Sequence, residues 1–167
     1  FYKPQGYVCS QKDVRNRPNI YSLLACQGIN KHLIPVGPLD YSSEGLVLLT
    51  NSGEMAQTLE KNKEIERSYK IRVFGRLFTK EKLDQIRKGM KIRMKTIKYW
   101  VDLISKQNTN TWIHLKSNDN SIINIRHVFR KLSLRINRLI RISYGPFTLD
   151  KSRKSGSVFE VEIPRTV

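Results

Sequence analysis

The stretch Ile34-Pro35-Val36-Gly37-Pro38-Leu39-Asp40-Tyr41-Ser42-Ser43-Glu44-Gly45-Leu46-Val47-Leu48-Leu49-Thr50-Asn51 holds the residue best suited to chemistry. Asp40 stands between a Gly-Pro turn signal and an apolar run, with Gly45 between the two. A carboxylate placed this way is fixed on a tight loop by the scaffold, a position suited to acid–base or nucleophilic work. An Asx-turn or a helix cap is the structural alternative for an aspartate of this kind. Glu44 follows closely, and an Asp–Glu pair is the equipment of glycoside hydrolysis. Cys9 and Cys26, the two cysteines, lack a metal-ligand spacing, which argues against redox chemistry and structural zinc. The expectation is a site with no metal and no cofactor.

Charge narrows the substrate. Against 14 Asp+Glu stand 31 Lys+Arg among 167 residues, a formal net charge of +17, with a sequence pI near 10.1. Such an excess calls for a polyanionic partner, and nucleic acid is favoured over an anionic membrane or a neutral sugar. The basic residues alternate with apolar ones, as in Arg67-Ser68-Tyr69-Lys70-Ile71-Arg72 and Arg135-Ile136-Asn137-Arg138-Leu139-Ile140-Arg141, a pattern of charged faces on folded elements. No apolar run approaches the roughly 18 residues of a membrane span. Phe1-Tyr2-Lys3-Pro4 resembles no signal peptide. A cytoplasmic monomer forming one domain over residues 1–167 is expected, with no membrane association.

The elements that must position Asp40 are legible in part. Tyr7–Ser10 reads as a strand after the turn Lys3–Gly6, and 13–19 with Pro18 as a surface loop. Leu46–Thr50 reads as a buried strand entering the turn Asn51-Ser52-Gly53, followed by a short helix over Glu54–Glu60. Tyr69, Ile71 and Val73 alternate with Lys70 and Arg72, the period of a strand with one face inside. Thr79 caps a helix carrying Leu83, Ile86 and Met90, with Gly89 as stop signal. Strands follow near Ile97–Ile104 and Thr111–Leu115. Ile122, Ile125, Phe129 and Leu132 then make one apolar helical stripe. Arg126 lies at its edge, roughly 90° from the centre at about 100° per residue, from where it can reach a neighbouring cleft. Leu139–Tyr144 and Val158–Ile163 close the chain as strands. An α+β domain with a largely antiparallel mixed sheet flanked by short helices is predicted.

The order of these segments resembles the catalytic domain of the RsuA/RluB-type pseudouridine synthases, which modify ribosomal RNA. Gly37, Leu39, Asp40, Gly45, Leu46, Leu48, Thr50, Asn51 and Gly53 fall into that family's Gly-Arg-Leu-Asp signature and the strand, turn and helix after it. Lys3-Pro4-Gln5-Gly6 is similar to the family's Lys-Pro-x-Gly opening. Ile65–Gly75 resembles its second motif, and Asn124-Ile125-Arg126-His127 with Asn137–Gly145 its third. The resemblance implies that Asp40 acts at the ribose of a uridine, as nucleophile or as base, with Arg126 as its partner. It implies that Tyr69 stacks on the flipped base, an interaction worth roughly 1–3 kcal/mol. Lys3, Gly37, Leu39, Arg67, Arg72, Lys98, Arg130, Arg138 and Arg141 are the candidate RNA contacts, the cations among them holding phosphates. Ribosomal RNA is the implied partner, and Ile65–Gly75 leans toward that of the large subunit.

Three positions depart from the family pattern. Pro38 stands where the family carries arginine, Ile123 where it carries another arginine, and Ser68 where glutamate or threonine is usual. Pro38 stiffens the loop and donates no hydrogen bond. These departures motivate a second reading, a non-catalytic RNA-binding descendant. The N-terminal RNA-binding domain common in the family does not occur within the 167 residues.

Overall fold

The computed structural model of the chain describes residues 1–74, 78–106, 109–150 and 152–163. Strand β1 (Tyr2–Lys3) comes first, and helix α1 (Ile20–Cys26) follows a polar loop. The Asn19 side chain caps α1 by accepting from the Ser22 N–H at 3.1 Å, and Ile20 and Leu24, one helical turn apart, are buried. Residues 7–10 form no strand; Val8 makes only a single bridge to Asn19.

The apolar run 46–50 is divided between two sheets. Strands β2 (Ile34–Val36) and β4 (Leu48–Thr50) pair with each other, whereas β3 (Glu44–Leu46) joins the main sheet. Val47 is the break: fully buried, it exchanges backbone hydrogen bonds with Phe1 and turns the chain from one set of partners to the other. Ser52 then caps helix α2 (Gly53–Lys61), which packs on the β2–β4 pair. Strand β5 (Arg67–Phe74) buries Tyr69, Ile71 and Val73 as its alternation predicts. Thr79 caps helix α3 (Lys80–Lys88), and Gly89 ends it, leaving Met90 to open the hairpin β6 (Met90–Ile92) and β7 (Lys95–Ile97). The segment expected as one strand near Ile97–Ile104 is thus two, β7 and β8 (Trp100–Lys106).

Strand β9 (Asn110–Ser117), helix α4 (Ile122–Lys131), strand β10 (Arg135–Tyr144) and the short β11 (Phe147–Thr148) complete the order. The main sheet runs β1-β3-β10-β5-β9-β8, with β11 also on β10; among the described residues of this sheet only β3 and β10 are parallel. Helix α4 lays Ile122, Ile125, Val128 and Phe129 into one core with Tyr69, Ile71, Val73, Ile113, Leu115 and Leu139. Residues 158–163 form no strand. The outer groups of Tyr2 on the short edge strand already bond to Gly156 and Ser157, so no ladder remains for the residues that follow.

Two backbone features fix the geometry around the site. At Gly45, with φ +111°, a Cβ would lie 2.3 Å from the Arg141 carbonyl oxygen and 2.6 Å from its nitrogen, so only glycine allows β3 to lie against β10. At the end of α4 the Ser133 N–H donates to the Arg130 carbonyl and the Leu134 N–H to the Phe129 carbonyl, each at 2.9 Å. This is a Schellman turn with serine at φ 57°, where glycine is usual. Gly45→Ala is expected to cost about 3 kcal/mol or more, through backbone collision and left-handed strain. Ser133→Gly is expected to add about 1 kcal/mol of stability. Urea unfolding followed by circular dichroism measures both.

Candidate active site

Asp40 sits on the loop between β2 and β3. Gly37 starts that loop at φ +58°, and a Cβ there would come within 2.6 Å of Tyr144 Cε2. Its N–H donates to Glu60 Oε1 at 3.0 Å. Leu39 is buried and anchors the loop in the core, and the Ser43 N–H closes a turn on the Asp40 carbonyl at 3.2 Å. The Asp40 side chain stays 28% exposed, enough for a ligand to reach it. Arg126 projects from α4 and clamps it, Nε to Oδ2 at 2.7 Å and Nη2 to Oδ1 at 3.3 Å. The same Nη2 donates to Ser43 Oγ at 2.8 Å, and Ser42 Oγ donates to Asp40 Oδ1 at 3.3 Å.

Beneath the loop, strand register places one residue from each of several strands in a row. Lys3 pairs with Gly45, Gly45 with Arg141, Arg141 with Tyr69, and Tyr69 with Leu115. Lys3 Nζ donates to the Ser43 carbonyl at 2.7 Å and to the Pro4 carbonyl at 3.0 Å. Ser43 is therefore held at its carbonyl by Lys3 and at its hydroxyl by Arg126. Arg141 Nε donates to the Leu46 carbonyl at 2.8 Å. The buried Tyr144 ring lies against two guanidiniums, that of Arg67 at 4.5 Å and that of Arg141 at 5.2 Å.

The residues predicted to touch RNA separate into distinct groups. Asp40 and Arg126 come together as expected, and Gly37 and Leu39 support them. Lys3, Arg67 and Arg141 are at most 2% exposed, which corrects the expectation that they hold phosphates at the surface: their charged groups point into the interior, where Arg67 Nε and Arg141 Nη2 have no hydrogen-bond partner among the described residues. Arg67 bonds the Ile65 and Asn118 carbonyls and the Tyr144 hydroxyl. Arg72 and Arg138 are cross-strand neighbours on the sheet face opposite Tyr69, so they do not border the Asp40 loop. Arg72 lies over Trp112 at 5.7 Å, and Arg138 forms an ion pair with Glu44. That pair also binds the carboxylate considered as a partner of Asp40. Lys98 is exposed beside Gly89, and Arg130 is exposed on α4. Tyr69 is 1% exposed, so its ring offers no open face to a base in this conformation. Gly75, the last residue of the second motif, lies outside the described residues.

The serines beside Asp40 and the tyrosine at position 144 carry geometry that residue type alone did not single out. The signal for the first was the Ser42-Ser43 pair directly after the carboxylate. Tyr144 had no local signal, since its role depends on Arg67 from another strand. Among the described residues no group of three or more histidine, cysteine and acidic side chains is gathered where a metal ion could be held.

Electrostatics keep the Asp40 carboxyl ionised. Burial alone would push it up, but the Arg126 guanidinium and the hydroxyls of Ser43 and Ser42 outweigh burial and bring it below the ordinary aspartate value. Burial brings the Lys3 amine down to about 8, opposed by the nearby Cys9, Asp40 and Glu44. The Tyr69 hydroxyl is pushed up by burial, with Arg141 partly offsetting it, and stays protonated. An oriented, ionised carboxylate beside a gripped loop can attack a sugar carbon or remove a proton from it.

A mixed sheet with an arginine-clamped aspartate on the loop before its parallel strand is thus the frame of the site, and the chain belongs to the RNA pseudouridylate synthase family, which it matches over residues 1–155. It is 35% identical over 163 residues to the ribosomal large subunit pseudouridine synthase B of Buchnera aphidicola subsp. Baizongia pistaciae, covering 94% of this chain and 64% of that protein. The protein of the same description from Escherichia coli K12 is 30% identical, with 99% and 57% covered. A crystal structure of a pseudouridylate synthase superposes with a TM-score of 0.77 at 25% identity, covering 94% of this chain and 66% of the other. The archaeal box H/ACA Nop10–Cbf5 complex shares the fold, with a TM-score of 0.63 at 15% identity. The chain thus spans between about half and two thirds of the length of these relatives. The α+β expectation agrees with the observed sheet and helices.

Arg126→Gln removes the cation that, with the Ser43 and Ser42 hydroxyls, outweighs burial at Asp40. The acid limb of the pH–rate profile is therefore expected to move to higher pH. Profiles of kcat/KM for both proteins measure the shift.

Proposed function

We propose that the protein isomerises uridine to pseudouridine in ribosomal RNA of the large subunit, with Asp40 as the catalytic group. The observation that carries this reading is the bidentate Arg126 clamp on a partly exposed, ionised Asp40. The reaction breaks the bond from uracil N1 to ribose C1′ and makes one from C5 to C1′. The proton leaves C5 and N1 gains one, so composition is unchanged. Asp40 acts at the ribose, adding to the sugar or taking its 2′ proton, and both routes need the carboxylate that Arg126 secures. Arg126 and Ser42 orient its two oxygens, while Lys3 and Arg126 hold the loop through Ser43.

Tyr69 forms part of the floor of the site by its place in the row with Lys3 and Arg141, and stacking on the uracil requires the residues above its ring to shift aside. A uridine within folded RNA reaches this floor only by leaving its stack. The names of the curated relatives support the large-subunit substrate, and the net charge of +17 supports a nucleic acid. An rRNA substrate implies work in the cytoplasm; among the described residues no helix is long and apolar enough to cross a membrane. A site formed within one chain is consistent with a monomer.

Tritium release from ribosomal RNA labelled at uracil C5 tests the reading, with the full-length protein and its Asp40→Asn form compared. Release is expected from the native protein, with a fall of about a thousandfold or more in the variant, the range set by loss of an essential covalent or general-base group. Equal release from both would remove Asp40 from the reaction. Salt-sensitive RNA binding without release from either would favour the binding descendant.

A further inference from the structure

The crook between the end of α4 and the start of β10 holds a cleft of about 370 Å³, lined by Arg126, Arg130, Ser133, Leu134, Arg135 and Ile136. It shares Arg126 with Asp40, so its occupant lies next to the reacting group. Arg126 and Arg130 are one helical turn apart and emerge on the same side of α4. Arg135 enters from the strand. Among the described residues neither Arg130 nor Arg135 has an acidic partner, and both are exposed. Asp40 neutralises Arg126, so the cleft keeps the charge of two guanidiniums.

Its other lining residues add shape. Buried Leu134 and half-buried Ile136 give an apolar surface beneath the charges. Ser133 brings a hydroxyl to the lining while held in a left-handed conformation that glycine would adopt without strain. Forked arginine donors over an apolar surface match a phosphodiester joined to a flat base, and the volume lies within the range of small-ligand pockets.

We propose that this cleft is a nucleotide subsite, holding a residue of the RNA strand adjacent to the target uridine, with Arg130 and Arg135 on its phosphate and Leu134 and Ile136 against its base. It rests on the RNA reading of the Asp40 site and adds the place where the strand leaves that site. Arg130 was among the candidate RNA contacts read from the sequence and Arg135 was not; the concavity between helix and strand brings the two together.

The test uses full-length protein and a ribosomal RNA fragment bearing the target uridine, with affinity measured over a range of salt. R130Q/R135Q is expected to weaken binding by at least about tenfold and to reduce the slope of log affinity against log salt by about 0.7 for each phosphate no longer neutralised. K31Q/K63Q removes the same charge at two exposed lysines outside the cleft and is expected to stay within about twofold. R130K/R135K restores charge without the fork and is expected to recover only part of the affinity. Circular dichroism establishes that each variant is folded. An R130Q/R135Q protein that binds like K31Q/K63Q overturns the subsite while leaving the Asp40 reading intact. A native protein with no salt-dependent affinity for RNA overturns both.

Discussion

The approach of β3 to β10 at Gly45 sets the rest of the site. With no side chain at that position, the two backbones come into parallel register and Lys3, Gly45, Arg141 and Tyr69 fall into one row. The Asp40 loop must enter β3 immediately before this contact, which brings Ser43 between Lys3 and Arg126. The orientation of a carboxylate several residues away therefore depends on a carbon atom that is absent. Gly37 repeats the principle at the other end of the loop, where Tyr144 occupies the space a side chain would need.

The positive charge of the chain serves two unrelated ends. Lys3, Arg67 and Arg141 are drawn inside, where an uncompensated charge would be costly. Carbonyl oxygens compensate each of them in part, and for the two arginines the Tyr144 ring adds a favourable face, although Arg67 Nε and Arg141 Nη2 lack a hydrogen-bond partner among the described residues. These cations hold loops and strand ends together. Arg130 and Arg135 remain outside, where charge remains available to a ligand. A single count of basic residues merges these populations.

This division explains how far the sequence could be read. The three-and-four spacing of α4 and the period of two in β5 were visible because each follows from burial of one face against the core. Asp40 and its partner were visible through the loop signal, the stripe edge and a family resemblance. The burial of Arg67 was not, because its compensation comes from Tyr144, 77 residues away. Val158–Ile163 has the residue types of a strand, but the β1 edge it follows is already bonded at Tyr2 to Gly156 and Ser157. The break at Val47 also escaped notice, since an apolar run does not reveal which strand it will pair with. Helix α1, only seven residues long, lacks charged residues in its terminal turns and carries little beyond its Asn19 cap to mark it.

The clamp on Asp40 also couples chemistry to the completeness of folding. Arg126 follows its partner by 86 residues, and the Arg141–Leu46 bond that ties β10 to β3 closes a separation of 95. Contacts of such long range carry a loop-closure cost that local contacts do not. During synthesis the aspartate emerges well before the arginine that holds it ionised and aimed. A nascent or truncated chain can thus carry most of the basic surface while lacking an organised reactive group. RNA engaged early would meet charge first and chemistry only once the last long strand has docked.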